Sequence, residues 1–189
     1  MKQLRLPLFT SKIKIYNLRI VPTSPVFEDI ENFKKQFENL FGKQPLSGSK
    51  PHITITTFRM NSKYQDDLIE AFGKLSHNKK FKLDIGSFSV VENSNTLYLK
   101  VHRMQDIELI QRNVQNLHDN NFKGKLESFF ISDNPYITVS KATGKKMLYE
   151  SLAYFQKTAY SKEIQVGHLT LVSRSKYKTW DWEYQIKLS

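Results

Sequence analysis

The chain has no cysteine, which excludes disulfides, thiolate zinc sites and a cysteine nucleophile together. Histidine is scarce as well. The five present, at 52, 77, 102, 118 and 168, include no two that stand three to five residues apart beside a carboxylate, so a helical metal site is not expected. No stretch approaches the roughly 18 apolar residues of a membrane span. Met1 to Thr10 carries Lys2 and Arg5 but too short an apolar run for a signal peptide. These absences predict a cytoplasmic protein that needs neither membrane, metal nor cofactor. Acidic residues are outnumbered, 18 against 29 Lys and Arg, and the resulting charge of +11 favours a polyanionic partner such as RNA, DNA or a phosphorylated small molecule. Because the lysines are scattered along the chain, solubility alone is the other explanation of that charge.

With 189 residues, 39% of them hydrophobic and 13% aromatic, the chain is long enough to bury a core as one large domain or two small lobes. Lys12 to Val21 alternates as a strand and runs into the turn Pro22-Thr23-Ser24-Pro25. Phe27, Ile30, Phe33, Phe37, Leu40 and Phe41 then fall at helical spacing, and Gly42 stops the run. After a loop at Ser47-Gly48-Ser49, Pro51 leads a strand, and Asp66 to Leu75 makes a shorter helix. Phe81 to Val91 and Thr96 to Val101 form a hairpin about Asn93-Ser94-Asn95. A helix from about Gln105 to Asn120 carries Ile107, Ile110, Val114 and Leu117 on one stripe. Pro135 leads another short strand to Ser140, Lys145 to Gln156 is helical, Ile164 to Ser173 is a strand, and Trp182 to Leu188 closes the chain.

The strand after Pro51 carries the chemistry. Period two turns His52, Thr54 and Thr56 to one face and Ile53 and Ile55 to the other. An imidazole two residues before a hydroxyl suits phosphate chemistry, since the ring can move a proton while the hydroxyl donates to a phosphate oxygen. The two halves of the chain also repeat one another. The Pro-led strands lie 84 apart (136 minus 52), and Ile85-Gly86-Ser87-Phe88-Ser89 lies 81 before Val166-Gly167-His168-Leu169-Thr170 (168 minus 87). A near-constant offset over two matches points to an internal duplication, with repeats of about 12–92 and 97–188.

Tyr16-Asn17-Leu18-Arg19-Ile20-Val21-Pro22, Pro51-His52-Ile53-Thr54, Leu97-Tyr98-Leu99-Lys100-Val101, Pro135-Tyr136-Ile137-Thr138-Val139 and Leu169-Thr170-Leu171-Val172-Ser173 together resemble the two-histidine phosphoesterase superfamily of 2′-5′ RNA ligase-like proteins and cyclic nucleotide phosphodiesterases. The resemblance implies an α+β, bilobal, duplicated fold in which two antiparallel sheets face a central cleft with helices outside. It also implies one His-x-Thr or His-x-Ser strand per lobe, one histidine as general base, the other as acid, and the hydroxyls as phosphate grips, with no metal. The implied partner is RNA or a nucleotide with a 2′-linked or cyclic phosphate, bound by a monomer.

This chain departs from the pattern at the second histidine, where Tyr136 stands before an intact Thr138. A phenol of pKa near 10 donates a hydrogen bond but is a poor base at neutral pH. A second His-x-Thr at His168 and Thr170 lies 116 after His52 (168 minus 52), one strand further on, with the parity to face the same cleft. His168 either takes over from the lost partner or is an ordinary strand histidine. The catalytic candidates are therefore His52, Thr54, Thr138, Tyr136 and His168. Thr170, Tyr98, Lys100 and Arg174 are candidates for substrate binding, with Trp180 as a stacking platform and Trp182 as core. The expected activity is metal-independent chemistry at RNA 2′-phosphodiesters, with a catalytically weakened phosphate-binding protein of the same fold as the alternative.

Overall fold

A computed structural model of the chain describes residues 12–45 and 47–189. The segment Met1 to Thr10, read above for a signal peptide, lies outside the described residues. β1 (Ile13–Ile20) buries Tyr16, Leu18 and Ile20 on one face, as its alternation requires, and turns Asn17 and Arg19 to the other. α1 (Val26–Phe41) places Val26, Ile30, Phe33 and Phe37 in the core, while Leu40 at the end of the expected stripe is exposed. β2 (Ile53–Asn61), α2 (Gln65–Gly73) and the hairpin of β3 (Phe81–Val91) and β4 (Thr96–His102) follow. α3 (Gln105–Leu117) continues through a π turn to Phe122, whose ring is buried beside Phe72.

Sequence alternation did not single out β5 (Leu126–Ile131), which pairs with the outer half of β2. β6 (Tyr136–Lys141) and α4 (Lys145–Phe155) stand where expected. The single strand expected over 164–173 is instead two, β7 (Ser161–Val166) and β8 (His168–Ser175), broken at Gly167. The break lets β7 pair with β3 and β8 pair with β1, on opposite sides of the sheet. β9 (Trp182–Lys187) closes the far edge against β8.

The strands run in the order β7-β3-β4-β6-β2-β1-β8-β9, every pairing antiparallel. The two sheets expected from sequence are thus joined into one, and the junction between β2 and β6 is the residue pair Ile53 and Ile137. About that pair the inner order reads alike outward in both directions: β6, β4, β3 on one side and β2, β1, β8 on the other. The first half lends β3 to the side of β4 and β6, the second half lends β8 and β9 to the side of β1 and β2, and the helices cross too, α1 packing on β6 and α3 on β2. Ile53, Ile55, Leu18, Leu99, Ile137 and Leu171 form the helix-facing core, leaving the opposite face of the sheet for polar side chains.

Candidate active site

The two Pro-led strands meet at the centre of the sheet. Continuing the antiparallel register one residue to either side of Ile53 and Ile137 sets His52 beside Thr138 and Thr54 beside Tyr136, all four on the face away from the helices. A bulge then interrupts each motif strand at the same place. Leu18 pairs with Thr56 and Arg19 with Thr54, leaving Ile55 as the extra residue; Leu97 pairs with Ser140 and Tyr98 with Thr138, leaving Val139. The extra residue reverses the parity beyond it. Thr56, expected beside Thr54, therefore turns to the core side opposite Leu18 and donates to the Phe130 carbonyl at 2.8 Å, and Thr57 takes its place on the polar face.

His52 is fixed through its backbone neighbours. Its Nδ1 lies 2.7 Å from the Lys50 carbonyl oxygen. A carbonyl only accepts, so Nδ1 carries the proton and Nε2 of the neutral ring offers its lone pair. The preceding loop is held from α1, where the buried Lys34 ammonium donates to the carbonyl of Ser49 and, at 3.0 Å, to its Oγ. Burial of the imidazole, and then the charges of Arg19 and Lys34, lower its pKa to about 4, against the opposing pull of the Lys50 hydrogen bond. His52 is thus neutral at neutral pH in the empty site. Between about 4 and the ordinary 6.5 the unfolded chain binds this proton and the folded chain does not. The associated stability is complete above that window and lost as pH falls through it. An NMR titration of the His52 ring is expected to give a midpoint near 4, rising when a phosphate anion occupies the site; a midpoint near 6.5 without ligand would show that the ring is solvated.

Tyr136 is half-buried, and its ring lies 4.5 Å from that of Tyr98, which shares its face. Burial and then the neighbouring Tyr98 raise the Tyr136 pKa, so the phenol keeps its proton and serves as a donor. Lys100 pairs with Tyr136 and is exposed. On the other flank, continuing the registers of β1 with β2 and with β8 places both His52 and His168 opposite Val21. The two histidines therefore share a face but stand two strand spacings apart, about 10 Å, with His168 on the side of His52 away from Thr138. Thr170 shares that face but is 2% exposed, which removes it as an open substrate contact. Of the remaining histidines, His77 and His102 are exposed, whereas His118 stacks on Phe129 at 4.2 Å.

A cavity of about 420 Å³ opens beside His52, lined by Arg19, Ser49, Lys50, Val172, Trp180, Trp182 and Glu183 among others. Trp182 packs against the core through Tyr16, as expected. Trp180 is partly exposed, and two guanidiniums lie over its ring, Arg19 at 4.4 Å and Arg174 at 4.8 Å. Arg19 and Asn17 stand in the first stretch that carries the resemblance but were not singled out as site residues from sequence. The available signal was their alternation with Tyr16, Leu18 and Ile20, which put two large polar side chains together on one face of a core strand. The Asn17 amide donates to Thr57 Oγ1 at 2.8 Å and reaches Thr54 Oγ1 at 3.5 Å, and its carbonyl oxygen accepts from Arg19 Nε at 2.8 Å. Burial, offset in part by Glu183 and reinforced by Arg174, lowers the Arg19 pKa to about 10, and the side chain stays charged.

A nine-stranded antiparallel sheet of mirrored order, backed by the four helices of the described residues, thus presents one motif strand from each half of the chain at its centre. The sequence profile of the 2′-5′ RNA ligase superfamily matches residues 22–178, and the chain belongs to that superfamily. Among solved structures, Escherichia coli LigT in complex with 3′-AMP is 11% identical, with a TM-score of 0.64 over 92% of this chain and 98% of LigT. The Thermus thermophilus protein TT0787 is also 11% identical, with a TM-score of 0.65 over 92% of this chain and 98% of its own. At this identity the likeness is one of fold. No curated protein matches the chain by sequence.

Proposed function

We propose that the chain makes or breaks 2′-linked phosphodiesters at RNA ends, 2′,3′-cyclic or 2′-5′, using His52 as the general base. The observation that carries this reading is the tautomer of His52: with Nδ1 committed to the Lys50 carbonyl, the Nε2 lone pair is presented on the face shared by Thr54, Tyr136 and Thr138. In hydrolysis, Nε2 takes a proton from water, the oxygen attacks phosphorus, and the ester bond to the ribose oxygen breaks. Thr54 and Thr138 donate to the phosphate oxygens, and the Tyr136 phenol donates a hydrogen bond to the departing oxygen, which takes its proton from solvent. His168, the candidate replacement for the lost histidine, lies beyond β1 from Thr54 and Thr138, so we assign it to the flank of the site. The E. coli relative has been solved with phosphate and with ATP as well as 3′-AMP, ligands that suit a site for nucleotide phosphates.

One feature favours a second reading, a protein that binds nucleotide phosphates without turnover: the position of the second histidine is held by a phenol whose pKa is raised. Assays on 2′,3′-cyclic nucleotides and 2′-5′-linked dinucleotides with EDTA present separate the two. Multiple turnover insensitive to EDTA is expected. Activity lost to EDTA and restored by a divalent ion would refute a metal-free mechanism, and binding with no turnover would select the second reading.

A further inference from the structure

We infer that Arg19 is a catalytic residue, whose guanidinium takes a non-bridging oxygen of the substrate phosphate beside His52. The inference rests on the reading that this cavity receives a phosphate ester, and it adds a group that neither half of the repeated motif supplies. Arg19 is 5% exposed, yet its Nη2 is buried with no hydrogen-bond partner among the described residues. A charged donor withdrawn from water and left unpaired in a folded core calls for an explanation, and the cavity that Arg19 shares with His52 offers one.

The rest of the side chain is held still. Nε is fixed by the Asn17 carbonyl oxygen, and the guanidinium lies over Trp180 at 4.4 Å. Arg174 lies over the same ring at 4.8 Å while its Nη1 donates to the Lys178 carbonyl at 3.1 Å, so it steadies the indole against which Arg19 rests. The two acids of the cavity are engaged elsewhere: Asp181 pairs with Lys14 at 3.4 Å, and Glu183 accepts from Gln185 Nε2 at 3.3 Å. The Nη2 donor is thereby kept for a ligand.

Register supplies the direction. Arg19 pairs with Thr54 across β1 and β2, and the one Asn17 side chain that orients Arg19 also reaches Thr54 Oγ1. Arg19, Thr54 and His52 thus lie on one face of adjacent strands, and Arg19 and His52 line one cavity, so an anion entering there comes between the guanidinium and the imidazole. As water adds to phosphorus, negative charge grows on the non-bridging oxygens. A guanidinium already desolvated and oriented stabilises that charge with little reorganisation. This is electrostatic assistance, and it does not replace the proton that a second histidine would carry.

The test is a titration of inorganic phosphate, and separately of a 2′,3′-cyclic nucleotide, into the wild type, Arg19→Met and Arg19→Lys, followed by NMR at the His52 ring and the Thr54 amide. Arg19→Met is expected to weaken phosphate binding about 30-fold, the loss of one charged hydrogen bond. Arg19→Lys should recover part of it, because an ammonium keeps the charge but not the planar fork. The His52 midpoint should rise in Arg19→Met, since a neighbouring positive charge is gone. Phosphate affinity unchanged in Arg19→Met, or in Arg19→Lys if the methionine variant does not fold, would overturn the inference. Phosphate bound through Arg19 without turnover of any 2′-linked substrate would leave the Arg19–phosphate contact standing and remove its catalytic role with the proposed activity; turnover with an affinity indifferent to Arg19 would remove the contact and leave the activity.

Discussion

His52→Ala is expected to lower kcat on a 2′,3′-cyclic nucleotide by about 10²-fold or more, the usual cost of removing a general base. The substitution deletes the lone pair that the Lys50 carbonyl orients, while leaving Thr54, Thr138 and Arg19, the proposed phosphate contacts, in place. KM should therefore change much less than kcat. His168→Ala serves as the control on the same face of the sheet: from its place beyond β1 it should cost only a few-fold. Equal losses in the two variants would show that His168 does carry a proton, and that the phosphate sits nearer to β1 than the motif strands indicate.

Tyr136→His is expected to act in the opposite direction and raise turnover by about 10-fold or more, within the range that a positioned general acid contributes. The position is prepared for it, because Thr138 is intact and the register sets Tyr136 beside Thr54 as it sets His52 beside Thr138. An imidazole here would lie against the Tyr98 ring now 4.5 Å away, in half-buried surroundings. A pH profile distinguishes gain of an acid from a looser site, since a new ionisation should appear on the alkaline limb in the variant alone. Turnover unchanged, with no new limb, would mean that proton delivery to the leaving oxygen is not what limits the rate.

Much of the architecture could be read from period and offset. The mirrored strand order is the one that a duplication with offsets of 84 (136 minus 52) and 81 (168 minus 87) would give, and His52, Thr54, Tyr136 and Thr138 come together because the two Pro-led strands meet at Ile53 and Ile137. What period two did not disclose are the bulges at Ile55 and Val139, where a single extra residue moves Thr56 off the working face and puts Thr57 onto it. Nothing in the side chains at those positions differs from an ordinary apolar strand residue. β5 was obscure because its burial does not alternate cleanly, and Phe130 within it is 60% exposed. Arg19 was hidden by composition: one arginine among 29 basic residues is conspicuous only when its surroundings show that it is buried.

The crossing of strands between halves has a consequence for the order in which the protein is made. β1 precedes the other elements of the described residues, but its partner β8 pairs Thr170 with Arg19, 151 residues later (170 minus 19), and the helix packed on β2 is α3 rather than α1. Neither half can complete its own sheet or cover its own apolar face from the residues it contains. Such long-range pairing delays folding, since loops must close before contacts reward them. A nascent chain that has emerged only through β6 holds both motif strands yet lacks β8, the strand that borders Arg19, so the working face is assembled only once β8 has followed.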